Sequence, residues 1–186
     1  MRPSTQSRSA KRPIPRPKCY SDHAVQALNN FPIKMLSVTR RILVSAPRDS
    51  VQKYLRDLRE IAKYETKVDA IEVSEADSSS EAAASGRFLG LPWRGKFRFE
   101  YTKDGGYRGV MVSGPLKRME CRVILRPVIG GTLVEHDEAY DLPFFLKPLK
   151  PILRRWLDRT LESELDIIKE GAEALNRRLQ LSGLDL

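Results

Sequence analysis

His136, Glu138 and Tyr140 are the side chains best suited to acid–base chemistry in this sequence. They stand two residues apart in a run typical of a β-strand, so they share one face of that strand. Because carboxylates usually face solvent, Glu135, Asp137 and Asp141 on the other face of the strand place the three residues on the inner face. There, an imidazole, a carboxylate and a phenol can polarise a carbonyl group or move a proton on a bound molecule. Two other interpretations stay open: the three groups match the polarity of a ligand without reacting, or His136 is a structural or exposed histidine.

The motifs of the common metal- and nucleotide-dependent enzymes are missing from the sequence. The only other histidine is His23, near the N-terminus, and no CxxC, HExxH, GxSxG or phosphate-loop pattern occurs. The two cysteines, Cys19 and Cys121, are far apart and suggest neither a disulfide framework nor a zinc site. We therefore expect no metal ion and no other cofactor.

The spacing of apolar residues predicts the elements that position these side chains. Residues 36–44 predict a strand, and a helical segment with one apolar face follows and ends near Tyr64. Between about residues 68 and 142, alternating runs separated by turn-forming residues predict successive antiparallel strands, each with one covered face. Beyond residue 151, apolar residues recur every three or four positions as far as Leu179, which predicts one long C-terminal helix. The inner face of the sheet is the only broad apolar partner for that helix.

Four short motifs accompany this order of elements. Residues 44–47 (VSAP) open the first helix, 114–116 (GPL) join two strands, 130–134 (GGTLV) form a turn and 140–144 (YDLPF) lead to the last helix. Together, over roughly residues 38–180, the chain resembles the START-like (SRPBCC) superfamily, which includes birch-pollen-allergen-type proteins, polyketide cyclases and coenzyme Q-binding proteins. The resemblance implies an α+β helix-grip fold: a curved antiparallel sheet around a long C-terminal α-helix, with short helices after the first strand. It also implies a hydrophobic cavity between sheet and helix, but it implies no reaction.

The apolar faces of the strands and the helix supply the candidate lining of that cavity. One stripe of helix side chains cannot fill the whole inner surface of a long curved sheet, so we expect a void that takes an apolar ligand. Trp93 is expected to lie at the mouth of the cavity or to cap the core. The candidate ligand-binding residues are Trp93, Phe97, Phe99, Val110, Val112, Met119, Cys121 and Val123 from the sheet, with Trp156 and Leu161 from the helix. Ordinary core packing is the alternative for each of them.

An aromatic and basic run leads into the last helix. Its members are Phe144, Phe145, Lys147, Lys150, Arg154 and Arg155. If the two phenylalanines are exposed, the run is expected to dock the cavity entrance on an anionic membrane. In the alternative interpretation, the phenylalanines close the core at a strand–helix corner and the charges form i,i+4 pairs such as Asp158 with Arg154.

The formal net charge of +9 is concentrated at the N-terminus. Residues 1–34 hold seven basic groups and one acid, a net of +6, and residues 35–186 hold the remaining +3. The first segment is rich in Ser, Arg and Pro, so we expect a disordered basic tail before one ligand-binding domain, residues 35–186. Two further interpretations compete with a simple solvated tail: an organellar transit peptide, or an artefact of the gene start if Met35 is the true first residue. We expect a cytoplasmic protein, or an organellar one if the tail is a transit peptide.

The sequence therefore predicts the binding, with transport as an extension, of a hydrophobic small molecule or lipid. One alternative is an enzyme similar to a polyketide cyclase or aromatase, in which His136, Glu138 and Tyr140 act on a bound apolar ligand without a metal. Another is a protein or RNA interaction module whose cavity has collapsed. A specific nucleic-acid partner is not expected, because most of the positive charge lies outside the folded part.

Overall fold

The described part of the chain folds into one antiparallel sheet. The structure is a computed structural model and describes residues 35–75 and 80–182. The strands are β1 (Leu36–Val44), β2 (Val68–Glu75), β3 (Ser80–Phe88), β4 (Leu91–Tyr101), β5 (Tyr107–Ser113), β6 (Arg118–Val128) and β7 (Gly131–Asp141). They are ordered β1-β7-β6-β5-β4-β3-β2, and every neighbouring pair is antiparallel. The predicted tail, residues 1–34, lies outside the described residues, as does most of the predicted turn near 77–80.

Two short helices follow β1, and one long helix ends the described chain. They are α1 (Arg48–Arg56), α2 (Ile61–Tyr64) and α3 (Lys150–Ser182), with 3-10 segments at Leu58–Glu60 and Phe144–Leu149. The sequence predicted one helical segment up to Tyr64, but α1 stops before Asp57, whose carboxylate accepts a hydrogen bond from the backbone N–H of Arg59. A side chain that binds the backbone two residues ahead competes with helical hydrogen bonding, which accounts for the interruption.

The core lies between α3 and the inner face of the sheet. Six apolar residues of α3, spaced three or four apart, are buried along one stripe: Leu153, Leu157, Leu161, Leu165, Ile168 and Ala172. The stripe faces β1 and α1 as well as the rest of the core. The predicted helix-grip fold is therefore confirmed. No helix in the described ranges is long and apolar enough to cross a membrane.

One row of cross-strand partners identifies the inner face of the sheet. It runs from Val38 through Glu138, Cys121 and Gly109 to Phe99, across five neighbouring strands. Val38, Cys121 and Phe99 belong to the buried apolar core, so this face is the inner one. Gly109 permits the close packing of its neighbours, because a Cβ atom there would lie 2.6 Å from Cys121 Sγ and 2.7 Å from Phe99 Cε1.

The orientation predicted for Val110 and Val112 is corrected by the same pairing. Val110 stands opposite Arg98 and Glu120 on the outer face, and Val112 is 56% exposed. Met111, which pairs with Phe97, takes the inner position between them. The sequence could not predict which of these residues face inward, because residues 110–112 are all apolar and show no alternation of polar and apolar positions.

Candidate functional site

A group of ionisable side chains lies inside the apolar core. His136, Glu138 and Tyr140 come from β7, Glu164 comes from α3, and Glu65 and Lys67 come from the segment between α2 and β2. We call these six residues the buried polar cluster, since none is more than 6% exposed. The cluster joins three parts of the fold at the point where the helix crosses the sheet.

Lys67 is the centre of this cluster. Its Nζ lies 2.7 Å from Glu164 Oε1, 3.0 Å from Glu138 Oε1 and 3.2 Å from Glu65 Oε2. Burial alone would lower the pKa of Lys67, but the neighbouring carboxylates, Glu138 foremost, raise that pKa well above its usual value. The side chain is therefore a charged ammonium at neutral pH.

The backbone of Lys67 is fixed by contacts with β3 and β4. Its carbonyl oxygen accepts hydrogen bonds from the Arg87 N–H at 3.1 Å and from Trp93 Nε1 at 3.2 Å. Gly86 allows this approach, because a Cβ atom at that position would lie 1.9 Å from the Lys67 carbonyl oxygen. Trp93, predicted to lie at a cavity mouth or to cap the core, is half-buried and packs against Phe97 with ring centroids 5.9 Å apart. It positions the Lys67 backbone.

The three residues predicted from β7 all lie on the inner face, as their spacing indicated. The Tyr140 hydroxyl donates to Glu138 Oε2 at 2.5 Å. Burial alone would raise the pKa of Glu138, but Lys67 and then His136 lower it below the usual value, so the carboxylate is ionised. Burial raises the pKa of Tyr140 well above its usual value, so the phenol stays a neutral hydrogen-bond donor.

His136 is enclosed on all sides and is close to two carboxylates. Its Nε2 lies 3.7 Å from Glu65 Oε1 and 3.8 Å from Glu138 Oε1, and the side chain is 0% exposed. Among residues 35–75 and 80–182, neither ring nitrogen has a hydrogen-bond partner. Buried polar atoms usually have one, so the imidazole is available to a group that the protein itself does not provide.

Glu164 brings a carboxylate to the apolar stripe of α3. Its Oε1 accepts hydrogen bonds from Thr66 N and Thr66 Oγ1, both at 3.2 Å, in addition to the contact with Lys67. Burial raises the pKa of Glu164 well above its usual value. In the absence of a further cation, the carboxyl therefore holds a proton far more readily than an exposed glutamate does.

The remaining predicted lining residues separate into two groups. Those buried together in the inner core are Phe97, Phe99, Met119, Cys121, Val123 and Leu161. Trp156 packs at the margin of this core, where its ring lies 4.9 Å from that of Phe88, and Phe88 lies 5.8 Å from Tyr140. These three rings connect the half-buried edge of the core with the buried polar cluster. Burial also raises the pKa of the Cys121 thiol well above its usual value, which makes it a poor nucleophile.

Glu135 and Asp137 point to the outer face, but they are not exposed as the sequence suggested. They are 3% and 1% exposed, because arginine side chains lie over them. Arg41 Nε is 2.5 Å from Glu135 Oε2, and Arg122 Nη2 is 2.5 Å from Asp137 Oδ2. Their carboxylates are therefore shielded by ion pairs on the outer surface of the sheet.

A groove of about 560 Å³ also lies on the outer face, across β2, β3 and β4. Its lining includes the small residues Ala70, Ala83 and Ser85 and the charged residues Arg94 and Lys96. This groove is open, and its lining combines small apolar with polar residues. It is on the opposite side of the sheet from the predicted ligand cavity.

Phe144 and Phe145 do not close the core. They are 81% and 64% exposed, and their rings pack edge to face at 5.8 Å. The predicted pair of Asp158 with Arg154 is not formed either, since Asp158 binds Arg40 of β1 at 2.9 Å. We call the exposed side chains at this corner the corner patch: Phe144, Phe145, Leu149 and Ile152, with Lys147, Lys150, Arg154 and Arg155.

Glu65, Lys67 and Glu164 were not predicted from the sequence. Lys67 and Glu65 lie in a three-residue connection with no periodicity, and only the fold brings them to β7. Glu164 did leave a signal, because it stands three residues after Leu161 and four before Ile168, on the apolar side of the helix.

Comparison with known proteins identifies relatives by sequence pattern and by fold. Residues 35–173, more than half of the chain, match the family model described as polyketide cyclase / dehydrase and lipid transport. A search of curated protein sequences finds no match to the chain.

Solved structures with the same fold come from several bacteria. A protein of Thermus thermophilus is 21% identical with a TM-score of 0.67, over 74% of this chain and 97% of that one. The Zhui aromatase/cyclase from Streptomyces sp. R1128 is 15% identical with a TM-score of 0.62, over 75% of this chain and 94% of that one. A START superfamily protein from Mycobacterium smegmatis is 12% identical with a TM-score of 0.56, over 77% of this chain and 98% of that one. At these identities the likeness concerns the fold.

Proposed function

The chain belongs to the family described as polyketide cyclase / dehydrase and lipid transport, and from this premise we propose that it binds a hydrophobic small molecule or lipid between the sheet and α3. The observation that carries the proposal is the buried polar cluster within an otherwise apolar inner face. Inner-face side chains such as Phe99 and Met119 supply contact area, and the cluster supplies the few polar groups that fix a ligand's orientation.

The polar end of the ligand contacts the cluster, and its apolar part lies along the aromatic margin. His136 has both ring nitrogens without a hydrogen-bond partner in the described residues, so a ligand oxygen gains a partner there. Phe88 and Trp156 pack at the edge of the core. Their rings move apart when the ligand enters, and the ligand passes between them toward Tyr140.

The corner patch delivers the ligand from an anionic membrane. Residues 142–157 contain four basic groups and no acid, and the exposed Phe144 and Phe145 lie among them. Ile152 precedes Trp156 by four residues, so the patch and the aromatic margin are on the same side of α3. A membrane that holds the patch is therefore next to the proposed entrance.

The test is a native mass-spectrometric screen of the full chain against ubiquinone, palmitate, phosphatidylcholine and an aromatic polyketide. We expect a one-to-one complex with at least one of them. A diazirine derivative of the bound compound should label peptides that contain Phe99 and Met119, on the inner face. Labelling confined to the outer-face residues Val110 and Val112, or no complex with any compound, contradicts the proposal.

A second candidate function is acid–base catalysis on the bound ligand, in the manner of a cyclase or aromatase. The specific observation in its favour is the contact of Tyr140 with Glu138, next to the charged Lys67 and to His136. A neutral phenol and an ammonium can stabilise an enolate oxygen, while an imidazole removes a proton.

Turnover of a poly-β-ketone thioester distinguishes the enzyme from the carrier. An enzyme releases a cyclised product that has lost water, and His136→Gln should lower the rate by at least about a hundredfold while complex formation persists. Val112→Ala, on the outer face, serves as the control and should leave the rate unchanged. Binding without turnover in the wild type rejects catalysis of this substrate and leaves the carrier function.

A further inference from the structure

The buried polar cluster contains more negative than positive charge. Glu65, Glu138 and Glu164 bring three carboxylates, and the ammonium of Lys67 lies within 3.2 Å of an oxygen of each. With the carboxylates ionised and His136 neutral, the formal charge is −2. Such a charge in a buried site is reduced either by a proton on a carboxyl group, as described above for Glu164, or by a counter-ion, because the cost of removing ions from water is several kcal/mol for each one.

Lys67 does not bind both oxygens of either Glu65 or Glu164. Lys67 is nearest to Glu164 Oε1 and to Glu65 Oε2. The second oxygen of Glu164, Oε2, has no hydrogen-bond partner in the described ranges, and Glu65 Oε1 lies 3.7 Å from His136 Nε2. Lys67 therefore leaves one oxygen of Glu65 and one oxygen of Glu164 for another cation.

The spacing of these atoms suits one small ion. Glu65, His136 and Glu164 each offer a ligand atom, and the three atoms lie within 4.8 Å of one another. Nitrogen and oxygen ligands at about 2.0–2.2 Å from a zinc ion are roughly 3–4 Å apart. A modest closure of three side chains brings them to that distance.

His136 is an independent indication of a ligand at this point. The ring is 0% exposed, and neither nitrogen has a partner among residues 35–75 and 80–182. A neutral imidazole nitrogen is the commonest protein ligand for transition-metal ions. The sequence-based expectation of no metal depended on the absence of several imidazoles, but carboxylates complete a donor set around a single histidine.

We propose that Glu65, His136 and Glu164 bind one divalent transition-metal ion, for which Zn²⁺ suits a donor set of one imidazole nitrogen and carboxylate oxygens. Its charge of +2 neutralises the cluster. Lys67 and Tyr140 remain the partners of Glu138, outside the coordination sphere. The metal joins α3 and β7 to the segment before β2, and its binding does not depend on the apolar ligand proposed above.

The first test measures zinc in the untagged full chain, produced in zinc-supplemented medium and also refolded from urea in the presence of Zn²⁺. After gel filtration, we expect one zinc per chain. His136→Gln and Glu164→Gln should weaken zinc binding by at least tenfold, whereas the matched control His23→Ala, which removes the chain's other histidine, should retain one zinc. A wild type without zinc in both preparations overturns the proposal, as does zinc that persists in His136→Gln or is lost in His23→Ala.

X-ray absorption at the zinc edge provides a readout that needs no variant of the cluster. In zinc-loaded His23→Ala protein, the scattering of one imidazole among oxygen ligands supports the site. A spectrum without imidazole overturns the proposal even if His136→Gln and Glu164→Gln fail to fold.

Discussion

At the residue scale, one buried lysine forms ion pairs with three carboxylates in the interior of this protein. Lys67 is only 5% exposed, so bulk water does not solvate its ammonium in place of these ion pairs. Removing one member of a buried ion pair leaves its partner buried, charged and unpaired. The resulting loss of stability is larger than the stability that the intact pair contributed. Lys67 therefore contributes to stability chiefly by preventing that cost.

Lys67→Met should lower the free energy of unfolding of the metal-free protein by about 3–5 kcal/mol. The measurement is urea unfolding monitored by circular dichroism, with a chelator present. Lys96→Met is the matched control, since Lys96 is exposed on the outer face, and it should change the stability by no more than about 0.5 kcal/mol. Equal effects of the two substitutions would show that the carboxylates do not need Lys67.

Glu120 is a carboxyl group on the outer face whose ionisation should affect the stability of the protein. Burial raises the pKa of this carboxyl, but hydrogen bonds from Arg108 and Arg118 lower it by a larger amount. The pKa of Glu120 is therefore below its usual value. The stabilisation is therefore present above the unfolded-state pKa of about 4.5 and is lost as the pH falls through the folded-state pKa.

Glu120→Gln should destabilise the protein at neutral pH by about 1 kcal/mol, a small value because both arginines are about half exposed. The difference from the wild type should shrink toward zero in acid, since the protonated glutamate resembles glutamine. Urea unfolding at several pH values measures it, with Glu100→Gln on the exposed surface as control. A difference that grows as the pH falls would contradict the assignment.

At this scale, the sequence predicted only those site residues that share one strand. His136, Glu138 and Tyr140 were placed on the inner face because residues two apart share one face of a strand and the carboxylates of Glu135 and Asp137 were expected on the other. Lys67 gave no such signal, because its position depends on Gly86 and on the Trp93 hydrogen bond, which are distant in sequence. A tertiary contact of this kind has no local pattern.

At the element scale, α1 and α3 meet at a position where an added side chain would displace Tyr54. A Cβ atom on Gly171 would lie 2.3 Å from Tyr54 Cζ and 2.4 Å from its hydroxyl oxygen. Alanine normally stabilises a helix interior by about 1 kcal/mol relative to glycine. We expect the displacement of Tyr54 to outweigh that preference.

Gly171→Ala should lower the stability by about 1–3 kcal/mol, because Tyr54 must move or the helices must separate. In the Tyr54→Ala background, the same substitution should instead raise the stability by about 1 kcal/mol. Thermal and urea unfolding of the four proteins give the coupling energy of this cycle. A stabilising effect in both backgrounds would show that Tyr54 yields without cost.

The elements themselves were largely predictable, and the exceptions have local causes. The period of the apolar residues gave α3 and the alternating strands, since both patterns are set by burial on one face. The break at Asp57 was missed because a single hydrogen bond from the Arg59 N–H, rather than hydrophobicity, decides it. The orientation of Val110 and Val112 was missed because an entirely apolar run carries no alternation.

At the scale of the whole molecule, the topology explains how a polar cluster can be enclosed. The first and last strands are neighbours, so α3, which follows the last strand, returns across the sheet and covers its inner face. The sequence predicted this arrangement of helix and sheet. It left open whether the aromatic corner before α3 is covered, which depends on how the chain leaves β7 and not on the composition of that corner.

The corner patch should bind anionic membranes through its aromatic side chains as well as its charges. Each phenylalanine that leaves water contributes about 1.5–3 kcal/mol, so Phe144→Ser combined with Phe145→Ser should weaken vesicle binding by more than tenfold. The full chain is mixed with phosphatidylserine/phosphatidylcholine vesicles, at a salt concentration of about 0.15 M, which screens the basic N-terminal segment equally in all variants. Ile129→Ser removes a fully exposed apolar residue from the β6–β7 turn and should leave binding unchanged. If both changes have the same effect, or if vesicles of phosphatidylcholine alone bind as well, the membrane does not recognise the corner patch.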